Sequence, residues 1–196
     1  MNEIMFELNQ FSTKEEEGRA GTVGPFGEVT VSVPRRKWRD KNVSNHTEVR
    51  VHGENIPEVL YRALGRPRPH LKDARLLIDG TSVDLVFNRK ALRNKSRALN
   101  LTHQGCTYEY TVIGSRKGSV LRRTGAEIII TRDKSKTGKG VSSFGTASGD
   151  VKAIDLALAV VFEEVETFDL TSLGAATTAF NWLVTPRTND SGVGSE

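Results

Sequence analysis

The segment from Arg132 to Gly140, RDKSKTGKG, is the part of the chain that comes closest to a phosphate-binding loop. Glycines in such a loop let backbone N–H groups approach an anion. A nucleotide-binding P-loop also needs a glycine five residues before its Gly-Lys pair and a serine or threonine directly after the lysine. Asp133 and Gly140 occupy these two positions, and the following residues predict an extended chain. The pattern therefore disfavours nucleotide hydrolysis and predicts a basic hairpin loop.

Histidine and cysteine are the next candidates for chemistry. The four histidines, His46, His52, His70 and His103, occur singly, and only His103 is close in sequence to Cys106. A zinc site needs more ligands than this pair supplies. Cys106 would need a basic partner to act as a nucleophile, and a small buried thiol is the favoured interpretation. We predict no catalytic residue, no metal site and no cofactor, while an enzyme whose site the sequence does not reveal remains an alternative.

Three carboxylates near the C-terminal helical region also merit interpretation. Glu163 and Glu164 are adjacent, and adjacent side chains on a helix point about 100° apart, so they would not share a substrate. They predict a solvated helix end. Asp155 interrupts an apolar run about one turn after its start. A carboxylate at that place predicts a structural ion pair with Lys152 or with another basic side chain.

Positive charge is concentrated in the middle of the chain. The formal net charge is +4, yet residues 18–149 contain 25 lysines and arginines against 11 aspartates and glutamates. Such a field attracts nucleic acid, lipid headgroups or acidic proteins, although a solvated surface accounts for it equally well. The predicted anion-binding side chains are those that neighbouring hairpin strands and loops are expected to bring together: Arg116, Lys117, Arg122, Arg123, Arg132, Lys134, Lys136 and Lys139.

Nucleic-acid binding is the alternative to lipid binding for these charges. Trp38 lies within RRKWRDK, and Phe144 follows the basic loop, so aromatic and cationic groups interleave as they do in single-strand-binding surfaces. Tyr108 and Tyr110 fall on one face of a predicted strand, where they suit a core as well as a base stack. No segment predicts a basic recognition helix for a major groove.

The secondary-structure pattern predicts strands up to Asp150 and helix after it. Val29, Val31 and Val33 alternate with polar residues, as in a half-buried strand. Asp79-Gly80 between two apolar runs predicts a hairpin. Further strands are predicted around Val49 and Val51 and, as an antiparallel meander, at Tyr108–Val112, Ser119–Arg123 and Ile128–Ile130.

Three helices are predicted, of which one is apolar on every side. Leu156 to Phe162 is seven apolar residues in a row, so this helix must be buried all round. It is far shorter than the roughly 20 residues that span a bilayer. The spacing of apolar residues predicts a second helix over 55–64 and a third over 173–184. The third is expected to pack on the sheet or to form a face that binds a partner.

The length of 196 residues predicts a single domain over residues 1–184, with a basic, strand-rich part (18–149), a helical part (150–184) and a disordered tail (185–196). The one cysteine cannot form an internal disulfide. Glu3 and Glu7 stand where a secretory signal would need positive and apolar residues. We therefore expect a cytoplasmic protein, peripheral at the membrane if it binds lipid.

The order of many strands followed by one apolar helix resembles the tubby C-terminal-like superfamily, which includes the phospholipid scramblase and LURP-one-related groups. The resemblance covers about Glu28 to Leu183, with SGDVKAIDLALAVVF as the matching helix and Thr107–Thr131 as the strands before it. It implies an α+β fold in which an antiparallel β-rich barrel or strongly curved sheet surrounds a buried hydrophobic C-terminal helix. It also implies a non-enzymatic scaffold that binds phosphorylated lipid headgroups or an anionic membrane surface. The predicted helices over 55–64 and 173–184 depart from the family pattern.

Overall fold

The structure is a computed structural model that describes residues 3–35, 46–64, 68–87, 97–114, 118–134 and 141–171. Over these residues, thirteen strands form one antiparallel sheet that curls into a nearly closed barrel around the helix α1 (Ala153–Val161). The strands are β1 (Ile4–Ser12), β2 (Glu16–Thr22), β3 (Glu28–Pro34), β4 (His46–Gly53), β5 (Val59–Leu64), β6 (Arg75–Ile78), β7 (Thr81–Val83), β8 (Leu85–Phe87), β9 (Leu99–His103), β10 (Cys106–Gly114), β11 (Gly118–Arg123), β12 (Ala126–Lys134) and β13 (Val141–Gly149).

The barrel comes close to closing because the two edge strands of the sheet are consecutive in the chain. The strand order is β7-β6-β5-β4-β3-β2-β1-β13-β12-β11-β10-β9-β8, so β7 and β8 stand at opposite edges. A single residue, Asp84, separates them. The short segment Thr81–Phe87 thus contains both edge strands: β7 pairs with β6, and β8 pairs with β9. Short edge strands leave few unpaired backbone groups.

The hairpin and meander predictions are confirmed. Asp79 and Gly80 both have positive φ, 47° and 77°, and join β6 to β7. Positive φ at both central residues defines the tight turn whose twist matches that of antiparallel strands. The strands β10, β11 and β12 pair in chain order and form the predicted antiparallel meander, which β13 extends by one further strand.

The apolar helix lies inside the barrel, as predicted. Leu156, Leu158, Val160 and Phe162 are all 0% exposed, and they join the inward side chains of the strands in one core. The predicted α+β class and the β-rich barrel around a buried helix are thus confirmed. Among the described residues, no helix combines the length and apolarity needed to cross a membrane.

The helix predicted over 55–64 is wrong, because the second half of this segment is the strand β5. Val59, Tyr61 and Ala63 are each 0% exposed, and the residues between them point outward. A run this short fits a helical and an alternating pattern at once, and pairing with β4 and β6 decides for the strand. The helix predicted over 173–184 and the tail 185–196 lie outside the described residues.

Candidate functional site

The topology divides the connections between strands into two sets, one at each end of the barrel. At one end, β1, β3, β5, β8, β10 and β12 finish and the next strands begin. We call this end the basic rim. Its connecting sequences are residues 13–15, 35–45, 65–74, 88–98, 115–117 and 135–140. The opposite rim has the connections 23–27, 54–58, 79–80, 104–105, 124–125 and 150–152.

The connecting sequences of the two rims differ strongly in charge. Those of the basic rim contain 18 of the chain's 28 lysines and arginines and three of its 24 aspartates and glutamates. Those of the opposite rim contain one lysine and four carboxylates. Most of the chain's basic residues therefore belong to connecting sequences of the same rim. A one-sided distribution of charge gives a protein an uneven surface potential.

The chain leaves α1 at the basic rim and brings four carboxylates to it, those of Glu163, Glu164, Glu166 and Asp169. The backbone N–H of Glu166 donates to the carbonyl of Pro69, 2.9 Å away. Nη1 of Arg97 donates to the backbone carbonyl oxygen of Asp169 at 2.5 Å. In the sequence, this segment adds four carboxylates to the three of the connecting sequences, against their 18 lysines and arginines.

Glu163 and Glu164 form the centre of a buried ion-pair cluster, so the predicted solvated helix end is wrong. Their exposed fractions are 1% and 3%. Nε of Arg132 lies 3.0 Å from Oε2 of Glu163, and the hydroxyl of Ser143 donates to the same oxygen at 2.6 Å. Glu164 pairs with Arg19 and, at 2.9 Å, with Arg68. The arginines and the serine come from β2, β12, β13 and the 65–74 connection, which the sequence does not reveal as neighbours.

The environment of this cluster changes the pKa values of its arginines in different directions. The pKa of Arg19 is lowered to about 10, mainly by burial; the charge of Glu163 opposes this shift, and the charges of Arg132 and Arg68 add to it. Burial also lowers the pKa of Arg68. The pKa of Arg132 is raised, because the charge and hydrogen bond of Glu163 outweigh the cost of burial. Nε of Arg19 is buried without a hydrogen-bond partner. The ion pairs that Glu163 and Glu164 form with these arginines hold the end of the helix inside the barrel.

At the opposite rim, Asp155 lies in the first turn of the helix and forms the predicted structural ion pair. Its partner is Arg123, with Nη2–Oδ2 and Nε–Oδ1 distances of 2.7 and 2.8 Å. The carboxylate also accepts the backbone N–H of Lys152 at 2.8 Å, which caps the first turn. The hydrogen bond with Asp155 raises the pKa of Arg123. Burial, followed by the charge of Asp155, raises the pKa of Tyr108 to about 12.

The four predicted anion-binding residues that the structure describes lie at two different ends of the barrel. Arg122 and Arg123 end β11 at the opposite rim, where Arg122 pairs with Glu127 and Arg123 with Asp155. Arg132 lies near the basic rim and is held by Glu163. Lys134 is the last residue of β12, at the basic rim. Arg116, Lys117, Lys136 and Lys139 lie outside the described residues, in connecting sequences of the basic rim.

Cys106 and His103 face each other across the hairpin between β9 and β10, and Cys106 is half-buried with a free thiol. Within the described part of the chain, no group of three histidines, cysteines, aspartates or glutamates is placed to hold a metal ion. Arg19, Arg68 and the partners of Asp155 were not apparent from the sequence. For Arg19 and Arg123 the signal is an inward position on a strand, which depends on the strand register, whereas Arg68 lies in a connection.

Comparisons of the chain with models of protein families, with curated proteins and with solved structures find no match.

Proposed function

We propose that this protein is a non-enzymatic binding or scaffold domain whose basic rim binds an anionic partner, namely phosphorylated lipid headgroups or an anionic membrane surface. The difference in charge between the connecting sequences of the two rims supports the proposal. Six connections of one rim carry most of the chain's basic residues, and those of the opposite rim carry one lysine. A planar anionic surface can contact several connections of one rim at once, and each lysine or arginine near such a surface contributes about 1 kcal/mol.

The basic residues of the connections are better candidates than those of the strands. Arg123 and Arg132 already hold buried carboxylates, so an external anion would compete with strong internal partners. Lys136 and Lys139 belong to a six-residue connection that contains no carboxylate. Arg116 and Lys117 form a similar connection between β10 and β11.

Nucleic acid is the second anionic partner to be tested. Two of the aromatic side chains considered for base stacking, Tyr108 and Tyr110, are only 2% and 1% exposed. They are therefore core residues, and a stacking platform would have to come from elsewhere. The described helix α1 is buried and has no face for a major groove. These observations favour the membrane surface over nucleic acid.

Co-sedimentation with vesicles tests the proposal. The full chain should sediment with mixed phosphatidylserine and phosphatidylcholine vesicles, but not with phosphatidylcholine alone, and salt should weaken binding. The double variant Lys136→Glu, Lys139→Glu should bind about thirty-fold more weakly or worse, since each lost lysine costs about 1 kcal/mol. The control Arg50→Glu, Lys152→Glu changes the net charge equally but away from the basic rim, and should bind like the natural chain.

Equal binding by the two double variants would refute a rim-specific site. Gel shifts with a single-stranded oligonucleotide form the second arm of the experiment. A salt-sensitive shift that only the rim variant loses, without any vesicle binding, would replace the membrane with nucleic acid as the partner.

A further inference from the structure

The outer face of the barrel has a row of uncharged side chains, one from each of four adjacent strands. Thr111, Val120, Ile129 and Thr146 of β10, β11, β12 and β13 stand directly opposite one another in the strand register. We call this row the outer stripe. Val120 is only 6% exposed and does not belong to the core inside the barrel. An outward side chain of a sheet has such a low exposed fraction when another segment or a partner packs over it.

The exposure of neighbouring residues indicates where the cover lies. In β11, the four residues from Gly118 to Leu121 are all buried, so both faces of this strand are covered there. Ile129 and Thr146 on the next two strands are half-buried. Met5, which follows Thr146 in the same row on β1, is 78% exposed. The covered area is therefore centred on β11 and ends before β1.

We propose that the outer stripe binds the apolar segment 173–184 of the same chain, LGAATTAFNWLV. The described chain ends at Thr171, close to Arg97, whose guanidinium donates to the carbonyl of Asp169. Arg97 lies just before β9, and β9 pairs with β10, the first strand of the stripe. The described chain therefore ends next to β9, the strand that neighbours the first strand of the outer stripe.

The length and composition of the segment match the outer stripe. Twelve residues form a helix about 18 Å long. Four strands that lie about 4.8 Å apart span roughly 14 Å between the first and the last. Leu173, Ala176 and Phe180 recur at helical spacing and give the segment an apolar face. The segment contains no charged residue, and neither does the stripe.

Two readouts report on the segment in the full chain. Chymotrypsin cleaves after Phe180 and Trp182, so the cleavage rate there measures how often the segment leaves the barrel. In a Trp38→Phe background, Trp182 is the remaining one of two tryptophans, and its emission maximum reports its burial. Cleavage should be slower than in the unfolded chain, and the Trp182 emission maximum should lie at a shorter wavelength than that of a solvated tryptophan. Neither readout should depend on protein concentration.

Charged variants on the stripe then test whether it is the binding surface. Val120→Asp should accelerate cleavage at the segment about tenfold or more and shift the Trp182 emission to the red. Thr30→Asp, on the outer face of β3 at the far side of the barrel, should change neither readout. If Val120→Asp does not fold, Ile129→Asp at a half-buried position serves instead, with the same result expected.

Three outcomes would overturn the proposal. The first is rapid cleavage and exposed Trp182 in the natural chain. The second is a stripe variant that folds and leaves both readouts unchanged. The third is protection that appears only as the protein self-associates, which would make a second copy of the chain the occupant of the stripe.

Discussion

Arg123 and Asp155 form a two-point ion pair that fastens the start of the buried helix to the end of β11. The two contacts are 2.7 and 2.8 Å long, and the side chains are 9% and 3% exposed. At the other end of the helix, Arg132 and Arg19 hold Glu163 and Glu164. A helix that is apolar on all sides has no polar stripe to orient it, so these ion pairs at its two ends fix its position in the barrel.

The first prediction concerns the ion pair at the start of the helix. Asp155→Asn should lower the free energy of unfolding by about 2 kcal/mol or more, because the largely shielded guanidinium of Arg123 keeps only the exposed carboxylate of Asp150, 4.0 Å away, as a counter-charge. Asparagine keeps an oxygen that can accept the N–H of Lys152, so the helix cap is largely preserved. Urea denaturation measures the change.

The matched control for this variant is Glu127→Gln, which breaks the pair with Arg122 on the exposed outer face. It should change stability by no more than about 1 kcal/mol. Equal effects of Asp155→Asn and Glu127→Gln would contradict the role given to the buried pair.

The second prediction separates the partners of Glu164. Glu164→Leu should cost about 3 kcal/mol or more, because it removes the counter-charge of both Arg19 and Arg68. Arg19→Met should cost less than about 1 kcal/mol, since Glu164 keeps Arg68 and an arginine whose burial is unfavourable is replaced by an apolar side chain of similar length. Thermal and urea unfolding of both variants measure the difference. A larger loss for Arg19→Met than for Glu164→Leu would refute this assignment.

How much of the fold the sequence predicts depends on whether the signal is local. Alternation at Val29, Val31 and Val33 and the Asp79-Gly80 turn require only a few neighbouring residues, and both predictions are confirmed. The unbroken apolar run from Leu156 likewise predicts a helix buried on all sides. The segment 55–64 fails because its local pattern fits two periods, and only pairing with β4 and β6 distinguishes them.

The site is less predictable because its geometry comes from distant parts of the chain. Glu163 is buried by Arg132 and Ser143, 31 and 20 residues away in sequence, and Glu164 by Arg19, 145 residues away. No local pattern marks such pairs, so the sequence predicts a solvated helix end. The concentration of positive charge was visible in the sequence, but the assignment of most basic connecting sequences to one rim follows only from the strand order.

The third prediction concerns the close packing of β1 on β13. Phe6 and Gly145 are opposite each other in the register, and a Cβ atom on Gly145 would overlap the ring of Phe6. Gly145→Ala should therefore destabilise the protein by about 1–3 kcal/mol through overpacking. Combining it with Phe6→Leu, which makes room, should cost less than the sum of the two single variants. Strict additivity in urea unfolding would show that the ring and the glycine are not coupled.

The last prediction concerns the response to alkaline pH. All three tyrosines, Tyr61, Tyr108 and Tyr110, are at most 2% exposed. Burial raises their pKa values above the ordinary 10.0, in Tyr108 to about 12. A raised pKa means that the folded protein holds the proton more tightly than the unfolded chain, so this stability is complete below pH 10 and is lost as the pH rises toward 12. The lowered pKa values of Arg19 and Arg68 act in the opposite direction, but they are two groups against three.

Spectrophotometric titration of tyrosinate measures this behaviour. The folded protein should show no tyrosine ionisation near pH 10, and the absorbance should rise only at higher pH, together with the loss of the far-ultraviolet circular dichroism of the sheet. The same chain in guanidinium chloride, where the tyrosines are solvated, should titrate near pH 10. Reversible ionisation of a tyrosine near pH 10 in the folded protein would place that ring in contact with water and contradict the packing of Tyr61 and Tyr110 against Phe162, at ring-centroid distances of 5.9 and 4.5 Å.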